Sequence, residues 1–393
     1  MIANRKTIKK TTKNTCICSL TWLYALSASA GNGVELPGYG AKSQGMGGVS
    51  IALPQDSTAS ANNPAGMALV GDRMDVDVTV LYAPVDADVG SDSYSTTAFV
   101  PVPTAGFNKV LNEKITVGLT IFGHGLGIDY EEPLLGTTDL KADLKQVVAA
   151  PTVTYQLSPN QYIGFSPRLA YQRLDIGGLE GVGFSNPGSE TSYGYGFAVG
   201  YQGKLFEDLS LGVTYFSRIK YGELDRYDTL LPNGRLNMPR RAGVGLSYQY
   251  SPKFTLAADF LWINWAGEEG YGNKLSEGGP MGANDGPGFG WKDQNIFRFG
   301  ASYVVNRRWT VRAGASFASE LIPKSETTLS TLAPLNQYDH YSLGVTYKAS
   351  PRWEITGSYT YADYGSIRGT EESQGINFDA HIDYINVGLG YNF

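Results

Sequence analysis

The feature that most constrains the fold of this chain is an alternation of apolar and polar residues that recurs in segments of about ten residues. In the last segment, YINVGLGYNF, the alternation runs from Ile385 to Phe393 with Asn and Gly between the apolar residues. Because side chains alternate between the two faces of a β-strand, each segment predicts a strand with one apolar and one polar face. After residue 30, no apolar run approaches the length of a membrane-spanning helix, so a helical membrane protein is excluded.

The segments predict fourteen strands, at 73–84, 96–108, 114–130, 145–157, 161–174, 191–203, 208–220, 238–250, 253–265, 293–305, 308–319, 337–348, 352–364 and 379–393. Short turns alternate with long loops rich in Gly and Asp. The longest loop, AGEEGYGNKLSEGGPMGANDGPGFGWKD, is polar and too long for a compact soluble sandwich, which is the alternative fold. We therefore predict an all-β transmembrane antiparallel β-barrel over residues 73–393, with its apolar faces towards lipid. Closure follows because an open sheet edge in lipid would leave backbone groups unpaired.

The N-terminal thirty residues carry an export signal. Five basic residues precede the apolar stretch CICSLTWLYAL, and Ala28-Ser29-Ala30 is a small-residue cleavage site. An uncleaved membrane anchor is the alternative, but the apolar run falls short of the ~20 residues that span a bilayer. Residues 1–30 also contain both cysteines, Cys16 and Cys18, so we expect an exported chain without disulfides.

Without that segment the chain carries 26 basic and 37 acidic residues, a formal charge of −11. An exported acidic protein is a poor candidate for binding nucleic acid. No phosphate-binding motif GxxxxGK[ST] and no cluster of His or Cys is present, so we expect neither a cofactor nor a bound metal. The acidic residues Asp86, Asp88 and Asp92 fit a solvated rim, or a rim that bridges surface lipids through divalent cations.

An enzyme is not indicated. Asp339 and His340 are sequence neighbours and point to opposite faces of a strand. His381 and Asp383 share a face, but that face continues into lipid-facing Ile385, and the neighbouring strands offer no serine on it. We expect no catalytic residues.

Residues 31–72 do not follow the barrel pattern, because they are rich in Gly and Ala and weakly periodic, which favours short helices and turns. The stretch from Gly40 to Met67, with Asn63, Pro64 and Ala65 inside DSTASANNPAGM, resembles the N-terminal hatch of the outer-membrane long-chain fatty-acid transporter (FadL) family, which includes channels for toluene and related hydrocarbons. The stretch TAFVPVPTAGFNKVLNEKITVGLTIFGHGLGIDYEE resembles the second and third strands of that family.

The resemblance implies that the hatch at 31–72 plugs the lumen and that hydrophobic compounds are taken up passively across the outer membrane of a Gram-negative cell. It also implies that the ligand leaves sideways into the membrane at a kink in the third strand. In this chain the kink falls at Gly123, His124 and Gly125, where glycine in a strand interior weakens pairing and permits irregularity.

The ligand itself stays open between a fatty acid and a neutral hydrocarbon. Four arginines that point inward by parity could hold a carboxylate, or could simply pair with inward Asp75, Asp77, Asp259 and Glu354; they are Arg168, Arg241, Arg298 and Arg312. Apolar residues that point inward are candidate channel walls, namely Leu81, Phe122, Phe216 and Leu261.

Other roles and partners remain open. An aqueous porin, or a surface adhesin or phage receptor, is the alternative function. Tyr391 and Phe393 resemble the closing signature that the barrel-assembly machinery recognises. Outer-membrane lipid and lipopolysaccharide are expected to surround a barrel that works as a monomer.

Overall fold

The computed structural model describes residues 32–134, 139–180, 183–184, 186–335 and 339–393, so the predicted signal peptide lies outside the described residues. No helix in these ranges is long and apolar enough to cross a membrane. The strands are β1 Arg73–Val89, β2 Asp92–Val110, β3 Ile115–Pro133, β4 Asp139–Ser158, β5 Gln161–Gly177, β6 Glu190–Lys204, β7 Leu209–Phe216, β8 Lys220–Tyr221, β9 Arg241–Ser251, β10 Phe254–Ile263, β11 Gln294–Val304, β12 Trp309–Ala318, β13 Asp339–Lys348, β14 Trp353–Arg368 and β15 Ile376–Asn392.

All strands but one form a single closed antiparallel sheet. Each pairs with its neighbours in sequence, β7 pairs with β9, and β1 pairs with β15 to close the ring. The exception is β8, which has two residues and pairs only with the outer part of β6. The predicted all-β, fourteen-stranded transmembrane barrel is confirmed.

The two faces of the strands differ as predicted. On β15 the side chains of Val387 and Leu389 are 60% and 41% exposed, whereas Asn386 beside them is fully buried. Exposed apolar side chains face lipid, and inward polar ones meet the contents of the lumen. Aromatic pairs stand at the inner ends of the strands; the ring centroids of Trp309 and Tyr347 lie 4.6 Å apart. Such belts are typical of membrane–water interfaces.

The strand ends on the outer side run further than the alternation predicted. β1 and β2 pair as far as Val89 and Asp92, so a two-residue turn replaces the long first loop that we expected. The extra length is polar; the Ser95 hydroxyl donates to an Asp86 carboxylate oxygen across the hairpin at 2.6 Å. Strand pairing therefore continues past the apolar band, where an apolar alternation is no longer required.

Residues 32–72 lie inside the barrel, as the predicted hatch. They form one turn of α-helix, α1 (Ala41–Gln44), and two 3₁₀-helices, Ala59–Ala61 and Pro64–Leu69. The remaining helices lie in the outer loops, with α2 at Thr327–Ser330 and 3₁₀-helices at Asp225–Tyr227, Pro232–Gly234, Trp265–Gly267, Lys324–Glu326 and Glu371–Ser373.

The NPA tripeptide anchors the hatch. Asn63 caps the second 3₁₀-helix by accepting from the Ala65 amide at 3.1 Å, and its own amide donates to the Ile51 and Tyr201 carbonyl oxygens at 2.8 and 3.0 Å. The barrel wall approaches the hatch closely, since a Cβ atom at Gly212 would lie 2.1 Å from the Ile51 oxygen. Inward glycines such as Gly212 therefore make room for the hatch backbone.

A buried ion network fixes the hatch to the periplasmic half of the wall. The Lys42 ammonium contacts the Glu354 carboxylate, and Arg73 lies 2.5 Å from both Glu354 and Asp75. The hatch hydroxyl of Ser57 donates to Asp75 at 2.6 Å. Because two cations share Glu354 in a site closed to water, this carboxylate is the centre of the network.

Replacing Glu354 by Gln is expected to lower the free energy of unfolding by about 3 kcal/mol, because Lys42 would stay buried without its counter-ion. Urea unfolding of the barrel in lipid vesicles, followed by tryptophan fluorescence, measures the loss. Glu320→Gln is the matched control. Its carboxylate pairs with Lys292 at 2.8 Å in solvent, so its loss is expected below about 1 kcal/mol. Equal losses for the two variants would contradict the assigned role of the buried network.

Candidate functional site

The ladder of the barrel wall is interrupted between β2 and β3. Their ladder runs from Val110 and Thr116 up to Thr104 and Phe122 and then stops. Above that level β2 pairs with β1 alone and β3 with β4 alone. We call this seam the β2–β3 gap; it is bounded by residues 92–103 of β2 and 123–133 of β3. The Thr96 hydroxyl crosses it to the Asp129 carbonyl oxygen.

The sequence of both strands accounts for the lost ladder. On β2, Pro101 and Pro103 have no N–H to donate, and they lie directly outside the last β2–β3 pair. On β3, Gly125 has φ +149°, which side chains rarely allow. The Gly125 amide donates to the carbonyl oxygen of Val34 in the hatch at 3.1 Å. The hatch thus supplies a partner to β3 where β2 does not.

Two valines of β2 cover the gap in this conformation. A Cβ atom built on Gly123 would lie 3.1 Å from a methyl carbon of Val102, and one built on Gly127 would lie 3.6 Å from a methyl carbon of Val100. The backbone of β3 at these two glycines therefore packs directly against the valine side chains of β2. Contact between the two strands here is apolar packing with few hydrogen bonds.

Two apolar cavities lie behind the wall in the outer half of the lumen. The outer cavity lies under the long loops, and its lining includes Leu144, Leu231, Tyr271, Phe289 and Leu332. Aromatic rings support its loop side, since the Tyr271 and Trp291 ring centroids lie 4.8 Å apart. Its lining is almost wholly apolar, as is usual for sites that bind small organic molecules.

The inner cavity lies directly behind the gap and is lined by Leu81, Val85, Val100, Ile128 and Ile382 among others. The two cavities have Leu126 of β3 and Ala333 of the loop before β13 in common. The two cavities are therefore neighbours along an apolar path from under the loops to the back of the gap. Leu126 and Ala333 separate them on this path.

The predicted arginines are buried deeper, against the hatch. Arg168 donates to the Ser60 and Ala61 carbonyl oxygens at 3.4 Å, and Arg241 pairs with Glu35. The Phe216 ring is sandwiched between these two guanidinium groups, each 4.2 Å from its centroid. Arg298 donates to the Gly48 oxygen at 3.1 Å, and Arg312 to Gln55 at 2.9 Å.

The other predicted inward residues are also buried. Phe122 packs on the hatch residue Tyr39 with ring centroids 4.5 Å apart, and the Tyr39 hydroxyl lies 3.3 Å from Nδ1 of His124. Leu261 is buried as well. The structure thus brings Phe122, Phe216, Arg168 and Arg241 together against the hatch, whereas Arg312 contacts it near the periplasmic end of β12. Apart from Leu81 and Gly125, which line the inner cavity, the predicted site residues do not line either cavity.

The histidine–carboxylate pair lies where parity placed it. His381 Nε2 is 3.8 Å from an Asp383 carboxylate oxygen, and the same carboxylate accepts from the Tyr359 hydroxyl at 2.6 Å. Both residues are partly exposed at the outer edge of the apolar band. Within the described residues, no group of three His, Cys, Asp or Glu side chains is placed to hold a metal ion.

Sequence reasoning missed the β2 side of the gap and the loop cavity. The repeat VPVP at 100–103 was a usable signal, because proline inside a strand marks an edge, and here the edge faces the gap. The cavity had no comparable signal, since loops distant in sequence assemble it.

A closed barrel with a hatch in its lumen is the architecture expected of an outer-membrane transport protein. Residues 23–393 match the family model described as outer membrane protein transport protein (OMPP1/FadL/TodX), and the chain belongs to that family. This confirms the predicted family and its outer-membrane transport role. Among curated proteins, no sequence match was found.

Solved structures share the fold at low sequence identity. A Pseudomonas aeruginosa FadL homologue is 16% identical, with a TM-score of 0.70 over 92% of this chain and 100% of its own. The P. putida toluene transporter TodX is 17% identical, with a TM-score of 0.71 over 91% and 99%. The Ralstonia pickettii toluene transporter TbuX is 18% identical, with a TM-score of 0.65 over 91% and 99%.

Replacing Gly125 by Ala is expected to destabilise the kink, because a Cβ atom there would lie 2.0 Å from the Leu144 oxygen at an unfavourable φ. We expect a loss of more than about 1 kcal/mol in the free energy of unfolding, measured in lipid vesicles. Gly357→Ala on β14 is the control, since no atom lies within 4 Å of its added Cβ. Unchanged stability of Gly125→Ala would show that β3 tolerates a side chain at this position.

Proposed function

We propose that the protein takes up hydrophobic compounds passively across the outer membrane and releases them sideways, through the β2–β3 gap, into the outer leaflet. The observation that carries the proposal is the loss of the β2–β3 ladder above Thr104 and Phe122, in front of an apolar cavity. Membership of a transport family supports uptake, and TodX and TbuX are described as toluene transporters.

On this route a ligand enters the outer cavity beneath the loops, passes Leu126 and Ala333 into the inner cavity, and leaves between β2 and β3. Displacement of Val100 and Val102 would open the gap, because these side chains cover the glycine backbone of β3. Their contacts are dispersion contacts, each worth only a few tenths of a kcal/mol or less. Thermal motion therefore suffices, without coupling to an energy source.

The transfer free energy of an apolar ligand also favours lateral release. An apolar chain gains ~0.8 kcal/mol for each CH₂ group that leaves water. Release into the periplasm would forfeit that gain, whereas release into the bilayer keeps it. The final step is therefore downhill for any compound that partitions into lipid.

The filled lumen argues against an open aqueous porin. Hatch residues such as Met46, Val49 and Ala65 are fully buried against the wall, and the ion network around Glu354 holds the hatch at its periplasmic side. We propose that the hatch stays in place during transport. No observation specifically favours a surface adhesin or phage receptor.

We further propose the division of the chain into a signal peptide at 1–30, the hatch at 31–72 and the barrel at 73–393, in the outer membrane of a Gram-negative cell. Tyr391 and Phe393 are proposed to guide assembly by the barrel machinery. The barrel is proposed to work as a monomer surrounded by lipid and lipopolysaccharide, since one chain supplies the closed ring, the hatch and both cavities.

A cysteine pair, Val102→Cys with Gly123→Cys, tests the lateral route. A Cβ atom built on Gly123 would lie 3.1 Å from the present Val102 methyl carbon, so oxidation of the two introduced thiols can join the strands across the gap. Both natural cysteines lie in residues 1–30, which we propose are removed. We expect the oxidised variant to lose at least about tenfold in uptake of radiolabelled toluene by cells lacking their own transporter, and reduction to restore it.

The single variants Val102→Cys and Gly123→Cys, treated with the same oxidant, are the controls for that experiment. Normal uptake through a barrel whose gap is verified as cross-linked would exclude lateral release. Glucose entry serves as the measure of an aqueous pore, and equal entry of glucose and toluene would favour the porin.

A second cysteine pair, Ala41→Cys with Gly388→Cys, tests whether the hatch moves. A Cβ atom on Gly388 would lie 3.3 Å from the Ala41 Cβ, within reach of a disulfide from α1 to β15. We expect the oxidised variant to transport as well as the reduced one, because the proposed route does not cross the hatch. Loss of uptake on oxidation, with full recovery on reduction, would mean that the hatch must be displaced.

A further inference from the structure

Among the described residues, those that line the outer cavity include no charged side chain. Strand residues such as Leu144 and Leu174 form its floor, and loop residues such as Leu231, Phe289 and Leu332 form its roof. An ionised carboxylate moved into such surroundings without a cation loses its hydration and gains no partner. The wall therefore disfavours the charged end of a fatty acid.

One polar group in this wall has no partner. Tyr271 lines the outer cavity, is 2% exposed, and packs on Trp265 and Trp291 with ring centroids 5.0 and 4.8 Å away. Its hydroxyl forms no hydrogen bond within the described part of the chain. Burial raises the pKa of the Tyr271 phenol, so the group stays protonated and can donate. Buried hydroxyls are normally hydrogen-bonded, so an unused donor beside a cavity points to a ligand acceptor.

The arginines that could neutralise an acid are engaged elsewhere. Arg168 contacts hatch carbonyl oxygens, Arg241 pairs with Glu35, and Arg298 contacts Gly48 and Asn32. Arg312 contacts Gln55 and Thr346. None of the four is among the residues that line the outer or the inner cavity. Their contacts are those of residues that fix the hatch.

We propose that the outer cavity selects uncharged ligands, apolar over most of their surface, and that the Tyr271 hydroxyl donates a hydrogen bond to a neutral acceptor such as a carbonyl or hydroxyl oxygen. This inference rests on the proposed uptake function and narrows its substrate class. Plain hydrocarbons bind without that hydrogen bond, and ionised acids are rejected for lack of a cation.

Three probes with a common phenyl ring test this selection: ethylbenzene, acetophenone and phenylacetate. Equilibrium dialysis with the purified barrel in nonionic detergent at neutral pH measures each affinity, with protein-free micelles as the blank. In the wild type we expect acetophenone to bind about fivefold more tightly than ethylbenzene after correction for micelle partitioning. Phenylacetate is expected to bind at least about a hundredfold more weakly than acetophenone.

Tyr271→Phe removes only the hydroxyl without a partner, so its thermal stability is expected to match the wild type. We expect this variant to lose about fivefold in affinity for acetophenone and to keep its affinity for ethylbenzene. A matched variant, Tyr341→Phe, removes a hydroxyl that meets Asp339 on the barrel exterior and should change neither.

The outcomes separate the inference from the function on which it rests. Phenylacetate binding as tightly as acetophenone, and lost in Arg168→Gln, would overturn the neutral-ligand inference in favour of a carboxylate site at the arginines. Unchanged acetophenone affinity in Tyr271→Phe would overturn the role of the hydroxyl. If the wild type binds none of the probes and cells that express it take up neither toluene nor oleate, the uptake function itself fails.

Discussion

The structure depends on the rule that backbone polar groups in a membrane must be paired within the protein. The rule forces the sheet to close, and β1 and β15 do so along nearly their whole length. It also makes any interruption of the wall informative. The β2–β3 gap leaves two strand edges unpaired with each other, and the chain limits the cost with prolines on one edge and a hatch contact to Gly125 on the other.

A second constraint is the polar lumen. Inward side chains include buried arginines and carboxylates, which are costly unless they are paired. The hatch supplies most of the partners, through Glu35 to Arg241, Lys42 to Glu354, and carbonyl oxygens to Arg168 and Arg298. Barrel and hatch are therefore electrostatically complementary, and without the hatch Arg241 would lose its ion pair with Glu35. The same pairing leaves the apolar outer half of the lumen free to receive a ligand.

The sequence predicted the barrel well because alternation is a local property that each strand must satisfy. The faces of β15 followed directly from the order Ile385 to Phe393. The strand ends were less predictable, since beyond the apolar band a polar pair such as Asp86 and Ser95 extends a strand as well as an apolar one. Strand alternation showed that Arg168 points inward. It could not show that the Arg168 guanidinium is already hydrogen-bonded to the hatch. The outer cavity escaped prediction because Leu144, Leu231 and Leu332 meet only in the folded chain.

The gap and the hatch are linked by a single backbone hydrogen bond, from the Gly125 amide to the Val34 oxygen. This bond gives the Gly125 amide of β3 a partner inside the barrel. Separation of β2 from β3 at the level of Val100 and Val102 therefore breaks apolar contacts and no ladder hydrogen bond. On the proposed route, a ligand in the inner cavity would replace those contacts with its own as it passes. The wall can therefore open for an apolar molecule and close after it, while β2 stays paired with β1 and β3 stays paired with β4.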